Sequence, residues 1–330
     1  MTDPSTPPGT GPSTPLGTPR RPTLRHRVEY LAVMTARGIV RPLPMTMVMA
    51  GGTVLGRAFH LVDGAHRRLA LRNLEAAFPA RPAHERAAIA RDMFAHFGRL
   101  VTVLLKFSTM RPEQMLARVE FEGEDRVKAA HALGKGALLF TGHFGYWEIN
   151  ALVHALVLHP MALLARPLDN PLLHDLLERV RGRTGNTVIY RRGAVRKVLR
   201  ALGANQAIAV LIDQHIQTAD AVYVDFFNRP AATTSALAAL ALRTGAPVIP
   251  VFALPLPGAR FRMVYEHAVD PPKADDPDAL HDFTQRCTDV LEMYVRRYPE
   301  LWLWMHRRWR DAEPANDEGR GMFPTATTEE

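Results

Sequence analysis

From Glu120 onward, short apolar runs alternate with amphipathic segments, and this alternation restricts the fold more than any other feature of the chain. Residues 137–140, 161–165, 187–190, 208–212 and 248–253 are strand-length runs of mostly aliphatic side chains. Residues 149–158, 171–183, 194–202, 234–244 and 279–297 carry helical spacing instead. Strands lacking polar alternation are covered on both faces, and helices between strands supply the crossovers that parallel pairing requires. The pattern predicts an α/β fold with a mostly parallel central sheet covered by helices, and residues 261–265 as an added antiparallel strand.

The first 20 residues are Pro, Thr, Gly and Ser with no apolar spacing, which predicts a disordered tail. No apolar stretch bounded by a basic start and a small-residue cleavage site occurs there, so no secretory signal is expected. Residues 21–66 begin with arginines and continue as two apolar stretches, 28–40 and 43–62. The second is about long enough to cross a bilayer. Gly51, Gly52 and Gly56 weaken its helix propensity, and Arg57 is costly at hydrocarbon depth. A helix embedded in or lying on the cytoplasmic leaflet is the preferred reading, ahead of a single span and of a buried core helix. Residues 67–312 form the expected α/β domain, opening with an amphipathic helix over 82–106, and 313–330 a flexible C-terminal tail.

With 41 basic against 33 acidic residues, the net charge of +8 favours anionic partners: nucleic acid, lipid headgroups or a phosphorylated substrate. No nucleic-acid-binding motif accompanies the charge. A hydrophobic content of 47% excludes a fibrous or wholly disordered chain. The single cysteine, Cys287, excludes an internal disulfide and a cysteine zinc cluster, in keeping with a reducing compartment.

The segment with the most chemical content is GALLFTGHFGYWEIN, residues 136–150. It takes a strand into His143 and then a loop that delivers Glu148 to the start of a helix. Ligands of open α/β sheets gather at such strand ends. In one continuous helix a five-residue offset would put the two side chains roughly 140° apart. They meet only if His143 precedes the helix, with Gly142 and Gly145 giving the loop freedom to fold. Glu148 is then expected to accept a hydrogen bond from the imidazole and fix its tautomer, so that the other ring nitrogen removes a proton from an acceptor hydroxyl.

Two further strand ends carry polar groups. Arg166, in Ala165-Arg166-Pro167-Leu168-Asp169-Asn170-Pro171, suits a phosphate or the charge building on an acyl carbonyl. Asp213, followed by Gln214 and His215, is expected to orient Arg166 or bind a sugar hydroxyl. A cluster of Arg179, Arg181, Arg183, Arg191, Arg192, Arg196, Lys197 and Arg200 is either a receiver for an anionic partner or a solvated face. Trp302, Trp304 and Trp309, interleaved with His306 and arginines, suit either an interfacial anchor or core closure.

In order and spacing these motifs resemble the bacterial lipid A biosynthesis acyltransferases of lauroyl or myristoyl type and the related phosphatidylinositol mannoside acyltransferases. The likeness runs from Leu43 to Arg310. It includes Arg72-Asn73-Leu74, Phe78-Pro79, His143 with Glu148 as a His, four residues, acidic motif, Arg166-Pro167, Asn170-Pro171, Asp213-Gln214, Phe226-Phe227 and Tyr298-Pro299-Glu300. Asn228 departs from the family's usual Gly after the paired Phe, and the Pro-rich tail has no counterpart.

The resemblance implies a glycerol-3-phosphate acyltransferase-like fold and a lipid A precursor, or another glycolipid, as acceptor. It also implies an acyl carrier protein or coenzyme A thioester as donor, with no metal or other cofactor, at the cytoplasmic face of the inner membrane. His143 is then the base and Glu148 its partner, while Arg166, Asp213, Gln214 and Asn170 contact substrate. The competing reading from another class is a non-catalytic peripheral protein that binds anionic lipid.

Overall fold

The computed structural model describes residues 21–190, 193–216, 221–273 and 276–310. Four helices open the chain: α1 (Leu24–Val40), α2 (Met45–Val62), α3 (Gly64–Ala77) and α4 (Ala83–Phe107). The expected tails, 1–20 and 313–330, lie outside the described residues. α2 buries Met45, Val48, Gly52 and Gly56, a stripe at helical spacing, against α4. The sequence set Gly52 and Gly56 against helix formation; in the structure they are where two helix backbones touch. A Cβ on Gly56 would lie 2.0 Å from the Phe94 carbonyl oxygen, and one on Gly98 of α4 only 2.1 Å from that of Gly52. Gly98→Ala gains about 1 kcal/mol of helix propensity but forces the helices apart. The clash is with backbone and dominates, so the variant is expected to lose about 2 kcal/mol net, read as a lowered midpoint in urea unfolding.

After α5 (Pro112–Leu116) the α/β part follows as β1 (Val119–Glu122), α6 (Glu124–Ala132), β2 (Ala137–Thr141), α7 (Trp147–Val157), β3 (Met161–Ala165), α8 (Pro171–Gly182), β4 (Thr187–Tyr190), α9 (Ala194–Gly203) and β5 (Ala207–Leu211). The hairpin β6 (Ala221–Asp225) and β7 (Pro230–Thr234) comes next, then α10 (Ala236–Thr244), β8 (Val248–Leu256), β9 (Arg260–Tyr265) and α11 (Ala279–Arg297). The main sheet runs β1-β9-β8-β2-β5-β3-β4, parallel except for the β8–β9 pair. The strand over 261–265 is antiparallel to β8 as expected, and it lies between β8 and β1. β1 escaped the sequence reading because Val-Glu-Phe-Glu is four residues long and half charged.

Residues 234–244 divide between the end of β7 and α10. The β6–β7 hairpin turns through Phe227 and Asn228, both left-handed with φ of 60° and 55°, and Phe226 N–H donates to the Arg229 carbonyl. Asn is among the residues that accept this conformation, so the turn forms without the family's glycine. Phe227 is held there by a 2.6 Å hydrogen bond from its N–H to Glu292 Oε2 and by ring contacts with Phe78 and Trp304.

Past α11 and a short 3-10 turn (Pro299–Leu301), the chain returns across the carboxyl ends of the strands. Trp302, Trp304 and Trp309 are all buried there, so the tryptophans close the core and do not form an interfacial anchor. Asn73 of α3 clamps this segment, its Nδ2 donating to the carbonyls of Trp304 at 2.7 Å and His306 at 2.9 Å.

Candidate active site

β2 and β5 are parallel neighbours in register, Thr141 beside Leu211. The residues two positions beyond each strand, His143 and Asp213, therefore emerge side by side. His143 Nδ1–H donates to Asp213 Oδ1 at 2.8 Å, and the His143 backbone N–H donates to Asp213 Oδ2 at 2.6 Å. Trp302 Nε1–H adds a second donor to Oδ2 at 2.9 Å. With three donors on a fully buried carboxylate, the Nδ1–H tautomer of His143 is fixed. His143 Nε2 has no hydrogen-bond partner among the described residues, and it is not one of the buried unsatisfied atoms, so it faces the accessible side of the ring.

The sequence reading paired His143 with Glu148, and the structure corrects it. His143 does precede the helix, but α7 starts at Trp147, and Glu148 in its first turn faces α8. There it makes a bidentate pair with Arg181, at 2.6 Å and 3.2 Å. Between them, Trp147 stacks edge-on against the imidazole with ring centroids 5.2 Å apart. Asp213, expected to orient Arg166 or bind a sugar hydroxyl, is instead the partner of the imidazole. Its chain distance of 70 residues hid that role; only the pairing of β2 with β5 reveals it.

The two glycines have different roles. Gly145 is left-handed at φ 58°, and a Cβ there would lie 2.1 Å from the Ala253 carbonyl oxygen. Gly142 provides space: its Cβ would sit 2.9 Å from Asp213 Oδ2 and displace the carboxylate. The loop is sewn to its surroundings by His96 Nε2–H donating to the Gly145 carbonyl at 3.0 Å, by Gly145 N–H to Leu301, and by Leu303 N–H to the His143 carbonyl.

Burial alone would depress the His143 pKa, but the Asp213 charge and hydrogen bond outweigh it, with a smaller contribution from Glu148, and hold it above the ordinary 6.5. Burial likewise works to raise the Asp213 pKa, and the imidazole and backbone donors overcome it, so the carboxyl is held well below the usual range. His306 lies behind the pair, its Nδ1 against the Leu303 carbonyl at 2.7 Å and its Nε2 against that of Asp213 at 3.0 Å. Arg181, Trp302 and His306 went unassigned at the sequence level. Arg181 was one of a run of arginines, and Trp302 one of three tryptophans.

The other expected site residues divide. Arg166 is exposed and pairs with Asp169 at 3.6 Å, not with Asp213. Gln214 is exposed next to Asp213. Asn170 is buried and structural on the side facing α8: its Oδ1 caps the helix by accepting from Leu172 N–H, and its Nδ2 donates to the His26 carbonyl and Glu29 of α1. In the basic cluster, Arg183 is consumed by the carbonyls of Ser108 and Met110, whereas Arg179, Arg196, Lys197 and Arg200 are exposed. Arg191 and Arg192 lie outside the described residues. On α8, His174, Asp175 and Glu178 have donor atoms within 4.8 Å of one another, but Glu178 already accepts from the Tyr190 hydroxyl at 2.5 Å.

A buried carboxylate, an oriented imidazole and an accessible Nε2 at a strand end are the parts from which a general base for a hydroxyl can be built. Residues 18–311 match the family described as bacterial lipid A biosynthesis acyltransferase. Among curated proteins, the chain is 26% identical over 261 residues to the lipid A biosynthesis myristoyltransferase of Escherichia coli, covering 79% of this chain and 80% of that one. It is 25% identical to the lipid A biosynthesis lauroyltransferase of the same organism, over 82% and 88% of the two chains. A lipid A biosynthesis acyltransferase of Haemophilus influenzae is 27% identical, over 85% and 89%.

Proposed function

Because the chain belongs to the bacterial lipid A biosynthesis acyltransferases, we propose that it moves a fatty acyl chain from a thioester of acyl carrier protein or coenzyme A to a hydroxyl of a lipid A precursor. The observation that carries the mechanism is the 2.8 Å bond between His143 and Asp213. Nε2 takes the proton of the acceptor hydroxyl as its oxygen attacks the thioester carbonyl. Asp213 stabilises the imidazolium that forms. The tetrahedral intermediate collapses with cleavage of the C–S bond, and the imidazolium returns its proton to the departing thiolate. The thioester is already activated, so the reaction calls for neither a metal nor a covalent enzyme intermediate.

In this scheme Glu148 and Arg181 act at the rim of the site. Their bidentate pair fixes the start of α7 against α8 and leaves the carboxylate close enough to favour the imidazolium. The exposed Arg166 and Gln214 are suited to the acceptor's phosphate and sugar, whereas Asn170 supports the substrate side by capping α8. Residues 67–312 are assigned the chemistry, on a glycerol-3-phosphate acyltransferase-like fold, and residues 21–66 the attachment to the cytoplasmic face of the inner membrane.

Attachment is supported by an apolar surface on the two N-terminal helices. Leu24, Val28 and Leu31 form an exposed stripe on α1, and Val54, Leu55, Leu61 and Val62 are exposed on α2. α2 is also long and apolar enough to cross a membrane, with 22% of it buried. A span would carry the packed segment of α4, including Arg99, into hydrocarbon with it, so α2 is assigned to the leaflet surface.

The test is incubation of purified protein with a labelled acyl carrier thioester and a panel of glycolipids, the product being identified by mass. The expected result is one added acyl chain on the lipid A precursor. Acylation confined to a phosphatidylinositol mannoside would move the assignment to that acceptor, and transfer to none would refute it.

A further inference from the structure

The corner between α1 and α2 meets the corner between α4 and α5 around a cavity of about 480 Å³, which shares no lining residue with the catalytic dyad. Lys106, on its wall, lies ten residues along α4 from His96, the residue bonded to the catalytic loop, or about 15 Å at the helical rise. Arg41, Lys106 and Arg118 line the cavity, and no Asp or Glu does. Among the described residues none of the three forms an ion pair; Lys106 Nζ donates instead to the Arg41 carbonyl at 2.6 Å. Burial and the charge of Arg118 push the Lys106 pKa down, the mark of a positive site with no counter-charge.

Two further features match an anion. α2 starts at this wall after Pro44 without a side-chain cap, leaving first-turn N–H groups and the positive end of the helix dipole directed there. Gln114 uses its side-chain oxygen to accept from Arg111 N–H, which leaves its amide hydrogens to donate. The volume exceeds what a bare inorganic anion fills and lies in the range of organic-ligand sites. Ile39 and Met47, in the helices on either side of the corner, are both exposed, so apolar surface lies next to the charge. A half-open cationic site beside an apolar face suits a phospholipid with an anionic head and apolar tails.

We infer that this cavity binds the phosphodiester headgroup of an anionic phospholipid in the membrane that carries the enzyme. The inference rests on the attachment proposed above. A bound headgroup offsets part of the repulsion among the three cations and fixes the α1–α2 corner at the level of the lipid phosphates.

The test uses the full chain and sedimentation with vesicles of phosphatidylcholine alone or with 20 mol % phosphatidylglycerol. The wild type is expected to bind the anionic vesicles at least tenfold more tightly than the neutral ones. Combined Arg41→Ala and Arg118→Ala should reduce that ratio to near one while leaving neutral-vesicle binding unchanged. Arg196→Ala with Arg200→Ala, equal in charge but on α9, should retain it, as should Arg41→Lys with Arg118→Lys, which also guards against a folding defect. Equal binding of the wild type to both vesicles would overturn the inference and leave attachment standing; binding to neither would overturn both. An equal loss in the α9 variant would assign the effect to bulk charge, and displacement by inorganic phosphate at low millimolar concentration would make the cavity a free-anion site. Either result contradicts the headgroup.

Discussion

His143→Ala is expected to lower kcat/KM for acyl transfer by about 10³–10⁴-fold, the full worth of a positioned general base. No neighbouring group is placed to substitute. Asp213 is buried and held ionised well below the usual carboxyl range, His306 has both ring nitrogens against backbone carbonyls, and Glu148 is locked to Arg181. The side chain of His143 is largely enclosed by Trp147, His306 and Asp213, so truncation leaves Asp213 with its backbone and Trp302 donors but without the imidazole. The fold should survive, because the β2–β5 register and the loop's backbone bonds to Leu301 and Leu303 do not involve the ring. Stopped assays with labelled thioester, together with circular dichroism of the variant, check both halves. Turnover within tenfold of wild type would remove the imidazole from the mechanism.

Asp213→Asn should be nearly as damaging, by about 10³-fold in kcat, with a smaller change in KM. The amide is close to the carboxylate in shape, so the fit beside Gly142 and Trp302 persists. What is lost is twofold. An amide that presents its oxygen to the backbone N–H and to Trp302 turns its NH2 toward Nδ1, favouring the tautomer whose lone pair points the wrong way. The negative charge that stabilises the imidazolium also disappears. A change in KM without a change in kcat would instead place Asp213 in substrate binding, as the sequence first indicated.

Much of the fold was legible because its determinants are local. The strands 161–165 and 187–190 and the helix 279–297 coincide with β3, β4 and α11, since aliphatic runs and a 3.6-residue period report directly on burial. β1 and the β6–β7 hairpin were not legible. The former is half charged and gains its place from β9, and the latter turns on Phe227, an aromatic in a left-handed conformation that only its tertiary contacts sustain.

The site divides along the same line. His143 and its strand end could be read from a single segment. Its hydrogen-bond partner could not, because Asp213 arrives through a parallel register across 70 residues, whereas Glu148 lies five residues away and looks like the natural choice. The glycines of α2 show the reverse error. Local propensity counts Gly52 and Gly56 against a helix, but the approach of α4 requires both.

The pH dependence of kcat/KM in wild type, Asp213→Asn and Glu148→Gln tests the central claim most directly. The base acts when neutral, and its pKa is raised above 6.5, so wild-type activity should climb with pH through an inflection above that value and be lost below it. Asp213→Asn removes the main force raising the pKa and leaves burial, which lowers it, so the inflection should fall while the plateau drops by about 10³-fold. Glu148→Gln should move the inflection less and retain most of the plateau. If instead Glu148→Gln shifts the inflection and collapses the rate while Asp213→Asn leaves both in place, Glu148 is the partner of the base, and the account given for Asp213 is contradicted.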